Sequence, residues 1–101
     1  MIRTSLHLPA IVRTGLKRLA LEHNTNMSTL IRTAVQLGLR DAETLAAVSM
    51  QYRRTTTGAR TSLDLSRRVH RTLKSAAVDN DTTVQALIFA AITLTYPDLH
   101  P

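Results

Sequence analysis

The residues of this chain best suited to chemistry stand in two matching rows: Arg3, Ser5 and His7, then Arg60, Ser62 and Asp64. Each row occupies every second position, the spacing that places side chains on one face of a strand. The types are those of hydrogen-bonded recognition: arginine offers a two-pronged donor, serine and histidine donate or accept, and aspartate accepts. Covalent and metal chemistry have no comparable foothold. The four histidines, His7, His23, His70 and His100, show no His-Glu-x-x-His or related ligand spacing, and the sequence contains no cysteine. Gly15, Gly38 and Gly58 stand alone, so neither a phosphate-cradling glycine loop nor a Gly-x-Ser-x-Gly nucleophile turn is present. The expectation is a protein that is not an enzyme and uses no cofactor or metal.

The two rows belong to an internal repeat. Arg-Thr-Ser-Leu-His-Leu at 3–8 returns as Arg-Thr-Ser-Leu-Asp-Leu at 60–65, and the match runs without a gap through 39 and 96, at a constant offset of 57. Fourteen of the 37 paired positions are identical, too many for a coincidence of composition. A unit of about 40 residues buries too little surface to be stable alone without a disulfide or a partner. Each copy therefore needs the other. The expected organisation is repeat 1 at 1–39, a partly helical linker at 40–59, repeat 2 at 60–96 and a tail at 97–101.

Within each copy the period changes from two to helical. Leu6 and Leu8, like Leu63 and Leu65, alternate with the polar row and predict strands of about six residues with one apolar face. Pro9 and Ser66 mark the ends of the strands, and Ser66 is a good helix N-cap. Val12, Leu16, Leu19 and Ala20 then form a helical stripe, repeated by Val69, Leu73, Ala76 and Ala77. Asn24 and Asp81 tolerate the left-handed conformation found after helix ends. A second helix follows in each copy, capped by Asn26 or Thr83. Its stripe is Met27, Leu30, Ile31, Ala34 and Val35 in one copy and Val84, Leu87, Ile88, Ala91 and Ile92 in the other. From Asp41 to about Tyr52 the chain reads either as a connecting helix or as an extension of the helix before it, and 53–59 reads as flexible linker.

Thirteen basic against seven acidic residues give a net charge of +6, with +4 in repeat 1 and +2 in repeat 2. The excess thus lies in the repeats rather than in a basic tail. An isoelectric point near 11.1 brings nucleic acid forward as a partner, against the plainer reading of a merely soluble basic domain. Three aromatic residues are a poor basis for stacking on single strands. No apolar run approaches the roughly 20 residues of a membrane span, and the N-terminus lacks a signal-peptide core. A cytoplasmic location is expected, with no membrane partner.

A strand followed by two short helices, in about 40 residues with a basic balance, resembles the ribbon-helix-helix (Arc/MetJ-type) DNA-binding family. The resemblance is carried by Arg-Thr-Ser-Leu-His-Leu-Pro with Thr-Asn-Met-Ser-Thr-Leu-Ile, and by Arg-Thr-Ser-Leu-Asp-Leu-Ser with Thr-Thr-Val-Gln-Ala-Leu-Ile. It covers 3–39 and 60–96. It implies a mainly α fold with one short antiparallel two-stranded ribbon, the two repeats forming an intramolecular pseudo-dimer, and a ribbon that enters the major groove of double-stranded DNA. Arg3, Ser5, His7, Arg60, Ser62 and Asp64 are then the base-contacting candidates, because arginine bonds guanine O6 and N7 while serine, histidine and aspartate pair with other base edges. The resemblance places phosphate contacts at the N-termini of the second helices: Asn26, Met27 and Ser28 in one copy, Thr83, Val84 and Gln85 in the other. Asp81 weakens the second of these sites. Arg53 and Arg54 are either a basic arm on phosphates or solvated linker, and Arg67, Arg68 and Arg71 read as a solvated helix face. The implied function is a sequence-specific regulator, most simply a transcriptional repressor or autoregulator, nucleoid- or plasmid-associated. The alternatives are an accessory protein of plasmid transfer or segregation (relaxosome or partition) and the antitoxin of a toxin-antitoxin pair. A second copy on adjacent half-sites, or a toxin or relaxosome protein, would be the further partner.

Overall fold

Two short strands, β1 (Ile2–Leu8) and β2 (Ala59–Leu65), pair antiparallel in the computed structural model, which describes residues 1–53 and 58–99. They form the one sheet among the described residues, and the rest of the ordered structure is helical. The register sets Ser5 opposite Ser62, Arg3 opposite Asp64 and His7 opposite Arg60, as pairing about a centre at the two serines requires. Leu6, Leu8, Leu63 and Leu65 point to the other face and are each no more than 1% exposed. Burying a leucine of this kind contributes about 1.5–3 kcal/mol, so the apolar face fixes which side of the ribbon is left for polar residues.

Helices follow each strand in the same order: α1 (Ala10–Glu22) and α2 (Met27–Gly38) after β1, then α4 (Arg67–Asp79) and α5 (Val84–Thr95) after β2. Strand, first helix and second helix all repeat their bounds at the sequence offset of 57. The local signals repeat as well. Asn24 and Asp81 take positive φ values of 53° and 52°, the left-handed turn between the helices. Asn26 and Thr83 each cap the following helix by accepting the third backbone N–H, from Thr29 at 2.8 Å and from Ala86 at 3.0 Å. Ser66 caps α4 by accepting from Val69 N–H, whereas Pro9 holds the same position before α1 without a side-chain cap.

The intervening segment is a helix of its own. A 3-10 turn at Leu39–Asp41 leads into α3 (Ala42–Ser49), and a second turn covers Met50–Tyr52. Asp41 caps α3 by accepting from the Thr44 hydroxyl and backbone N–H, and these two bonds hold its carboxyl below the ordinary aspartate range. Leu45, Ala46 and Ser49 are buried, and the Ser49 hydroxyl bonds Ala46 O and the Thr82 hydroxyl. The Tyr52 ring lies 4.7 Å from that of Phe89, centroid to centroid.

This cover explains why α5 is buried on all sides from Ala86 to Thr93. One face meets the ribbon and α2; the other, carrying Phe89, would be open without α3 and Tyr52. The equivalent positions on α2 are Thr29, Arg32, Thr33 and Gln36, polar side chains that tolerate partial or full exposure. At the C-terminus, Pro97–Leu99 make a 3-10 turn rather than trailing away, and Leu99 packs over Gly15 of α1. Tyr96 donates to Leu30 O at 2.8 Å, and partial burial pushes its hydroxyl above the ordinary tyrosine range, keeping it a donor.

Of 53–59, the stretch expected to be flexible linker, 54–57 lie outside the described residues, and strand β2 already begins at Ala59. Gly58 has φ +111°, and a Cβ there would run into Leu8 O. Gly58→Ala should therefore destabilise the fold by about 1–3 kcal/mol, the range for a residue forced into backbone territory reserved for glycine. Urea denaturation of the two proteins measures it, and equal midpoints would show that the strand entry relaxes freely.

Candidate nucleic-acid interface

Four of the six ribbon candidates, Arg3, Ser5, Arg60 and Ser62, are exposed on the polar face of the sheet. His7 and Asp64 are half-buried, because each lies at the strand end that passes beneath a second helix. Arg3 donates from Nε to Asp64 Oδ1 at 3.4 Å, across the ribbon. The result is a compact patch of two arginines, two serines, a histidine and a carboxylate, carried on two strands whose other face is pinned by leucines.

The strand ends are held by α2 and α5. Gln85 clamps β1 with both ends of its amide: Oε1 accepts from His7 N–H at 3.0 Å and Nε2 donates to His7 O at 2.8 Å. On the other side Arg32 donates from Nη1 to Asp64 O at 3.4 Å and from Nη2 to the Thr29 hydroxyl at the same distance. Neither role was visible in the sequence. Gln85 was expected to meet phosphate and Arg32 was not singled out, since both contacts join residues far apart in the chain.

At the helix N-termini the caps take the third N–H, leaving those of Met27 and Ser28, and of Val84 and Gln85, ahead of any intrahelical acceptor. Only these backbone groups and the Ser28 side chain are suited to an anion. The Met27 and Val84 side chains pack against the core and the Gln85 amide is committed to β1, so any anion contact at those three residues is left to their backbone N–H groups. Arg53 pairs with Asp81 through Nη2 and Oδ2 at 3.5 Å, placing a cation beside the acid that precedes α5. A surface pair of this kind is weak, so Arg53 is not withdrawn from other anions. Arg54 lies outside the described residues. Arg67, Arg68 and Arg71 are exposed on α4.

Elsewhere, a groove of about 690 Å³ runs along α1 beside the C-terminal turn and includes none of the six ribbon residues. Among the described residues no cluster of three histidines or carboxylates is placed to hold a metal ion, and no helix is long and apolar enough to cross a membrane.

Replacing Gln85 by Ala strips two hydrogen bonds from half-buried backbone of β1 and should cost about 1–3 kcal/mol of stability. Faster hydrogen exchange at the His7 amide would accompany it. Unchanged stability and unchanged exchange would mean that water replaces the clamp without loss. The chain matches no family model, no curated protein and no solved structure, so what it does must be read from its own residues.

Proposed function

We propose that this chain is a ribbon-helix-helix protein that binds double-stranded DNA sequence-specifically, its two repeats serving as the two halves of a pseudo-dimer. The observation that carries the reading is the ribbon register. It sets Arg3, Ser5, Arg60 and Ser62 together on the exposed face of an isolated two-stranded sheet whose leucines allow no other orientation. A ribbon of this width fits the major groove, and its arginines can meet guanine O6 and N7. The repeat of strand and helix bounds at an offset of 57 supports the pairing of halves. The net charge of +6 supports a polyanionic partner. Met27 and Ser28 on one side, and Val84 and Gln85 on the other, supply backbone N–H groups for flanking phosphates.

The simplest biological role is a repressor or autoregulator that covers a promoter. An antitoxin role resting on 40–59 has less support, because α3 and Tyr52 are engaged in covering α5 instead of lying free to wrap a partner.

Two experiments test the proposal. Duplex binding followed by fluorescence anisotropy should show log affinity falling with log salt, at a slope of about 0.9 per phosphate contact. On a selected site, Arg3→Ala and Arg60→Ala should each cost about 1–3 kcal/mol and relax base preference. If both variants weaken specific and random duplexes equally, the ribbon is not the reader. The second is thermal unfolding across a wide concentration range. Folding between covalently joined halves makes the midpoint independent of concentration, whereas a midpoint that climbs with concentration would indicate exchange between chains.

A further inference from the structure

The polar face of the ribbon is not equivalent at its two ends. One end pairs Arg3 with Asp64, and the other sets Arg60 against His7. At the first end the Arg3 and Asp64 side chains are 74% and 45% exposed, and the contact runs through Arg3 Nε. That leaves both Nη groups outside the pair, and these are the fork that meets a guanine edge. A carboxylate bound at Nε thus limits the rotamers of Arg3 without occupying its reading atoms. At the second end no carboxylate faces Arg60, which makes no ion pair among the described residues. The backbone supports differ too. Gln85 grips the His7 backbone at both N and O, whereas among the described residues the helix side chain Arg32 reaches the Asp64 backbone at O alone. The position equivalent to Gln85 is Ser28, too short to repeat the clamp, and the position equivalent to Arg32 is the buried Phe89.

Resting on the DNA-binding reading above, we infer that the chain recognises a duplex site that is asymmetric within the span of one ribbon, and that Asp64 is the positioning residue that makes it so. Asp64 holds Arg3 ready for guanine, so that end discriminates more sharply than the Arg60 end, where the guanidinium must be ordered on binding. The same carboxylate repels the phosphate backbone and so weakens binding to every sequence alike. These two effects oppose one another in affinity and separate cleanly in specificity.

The test is selection of the full chain against a duplex library randomised across the site, at one fixed salt concentration, for wild type, Asp64→Ala, Asp64→Asn and Asp64→His. Binding of wild type to random duplex at low salt is measured first. The wild-type consensus should be asymmetric, with the stronger guanine preference under Arg3. Asp64→Ala and Asp64→Asn should bind random duplex more tightly, while guanine preference under Arg3 falls by about 1.5- to fivefold, the range set by a cross-strand charge pair. Preference under Arg60 should stay unchanged. Asp64→His restores the residue of the other strand and should bring the consensus closer to a palindrome. A merely structural role for Asp64 would instead lower affinity for all sequences in parallel, and that result overturns the inference. A wild-type consensus already symmetric overturns it as well while leaving the DNA-binding reading intact. Failure of the wild type to bind any duplex at low salt removes both.

Discussion

Everything in this molecule hangs on the pairing of β1 with β2. Among the described residues neither strand has another neighbour, and a two-stranded ribbon is marginal in water unless its apolar face is covered. Leu6, Leu8, Leu63 and Leu65 join the two strands to the helices that follow each of them, so ribbon, helices and core form together or not at all. A slip of one residue in register would turn the leucines to solvent and the arginines into the core. The core therefore decides the composition of the polar face, and the exposure of Arg3, Ser5, Arg60 and Ser62 follows from hydrophobic burial on the opposite side.

Equivalent positions of the two strand-helix-helix segments differ in their surroundings. Arg32 and Phe89 occupy corresponding places on α2 and α5, yet one is a half-buried cation reaching the ribbon and the other lies in the core beneath Tyr52. A helix face on two identical chains would have to serve both environments. Here the connection itself resolves the difference: α3 lies against α5, whose outward residues are apolar, and leaves polar Thr33 and Gln36 of α2 in solvent. The two N-terminal turns differ in the same manner, with Ser28 making no side-chain hydrogen bond among the described residues on one side and Gln85 turned inward on the other.

Much of this was legible in the residues, because the signals are local. Alternation marked the strands, Asn26, Thr83 and Ser66 marked helix starts, and Asn24 and Asp81 marked the turns between helices. The role of 40–52 was not legible, since a short alanine-rich helix declares no destination until a surface needs covering. The clue lay elsewhere, in Ala86, Phe89, Ala90 and Thr93, a second apolar face on α5 that a search for a single stripe passes over. The contacts of Gln85 and Arg32 were beyond reach for a different reason. Each depends on where a strand end comes to lie beside a helix distant in sequence, which no spacing encodes.

The amide of Gln85 also bears on strand addition between molecules. A bare two-stranded ribbon has two open edges, each a template on which a strand from another molecule can add. Gln85 meets His7 with one donor and one acceptor, the same pair of groups that an incoming strand would offer, and so closes that part of the β1 edge to recruitment. Arg32 guards the corresponding part of β2 with a donor alone, backed by positive charge. At high concentration or on partial unfolding, growth by strand addition would then begin at β2 before β1.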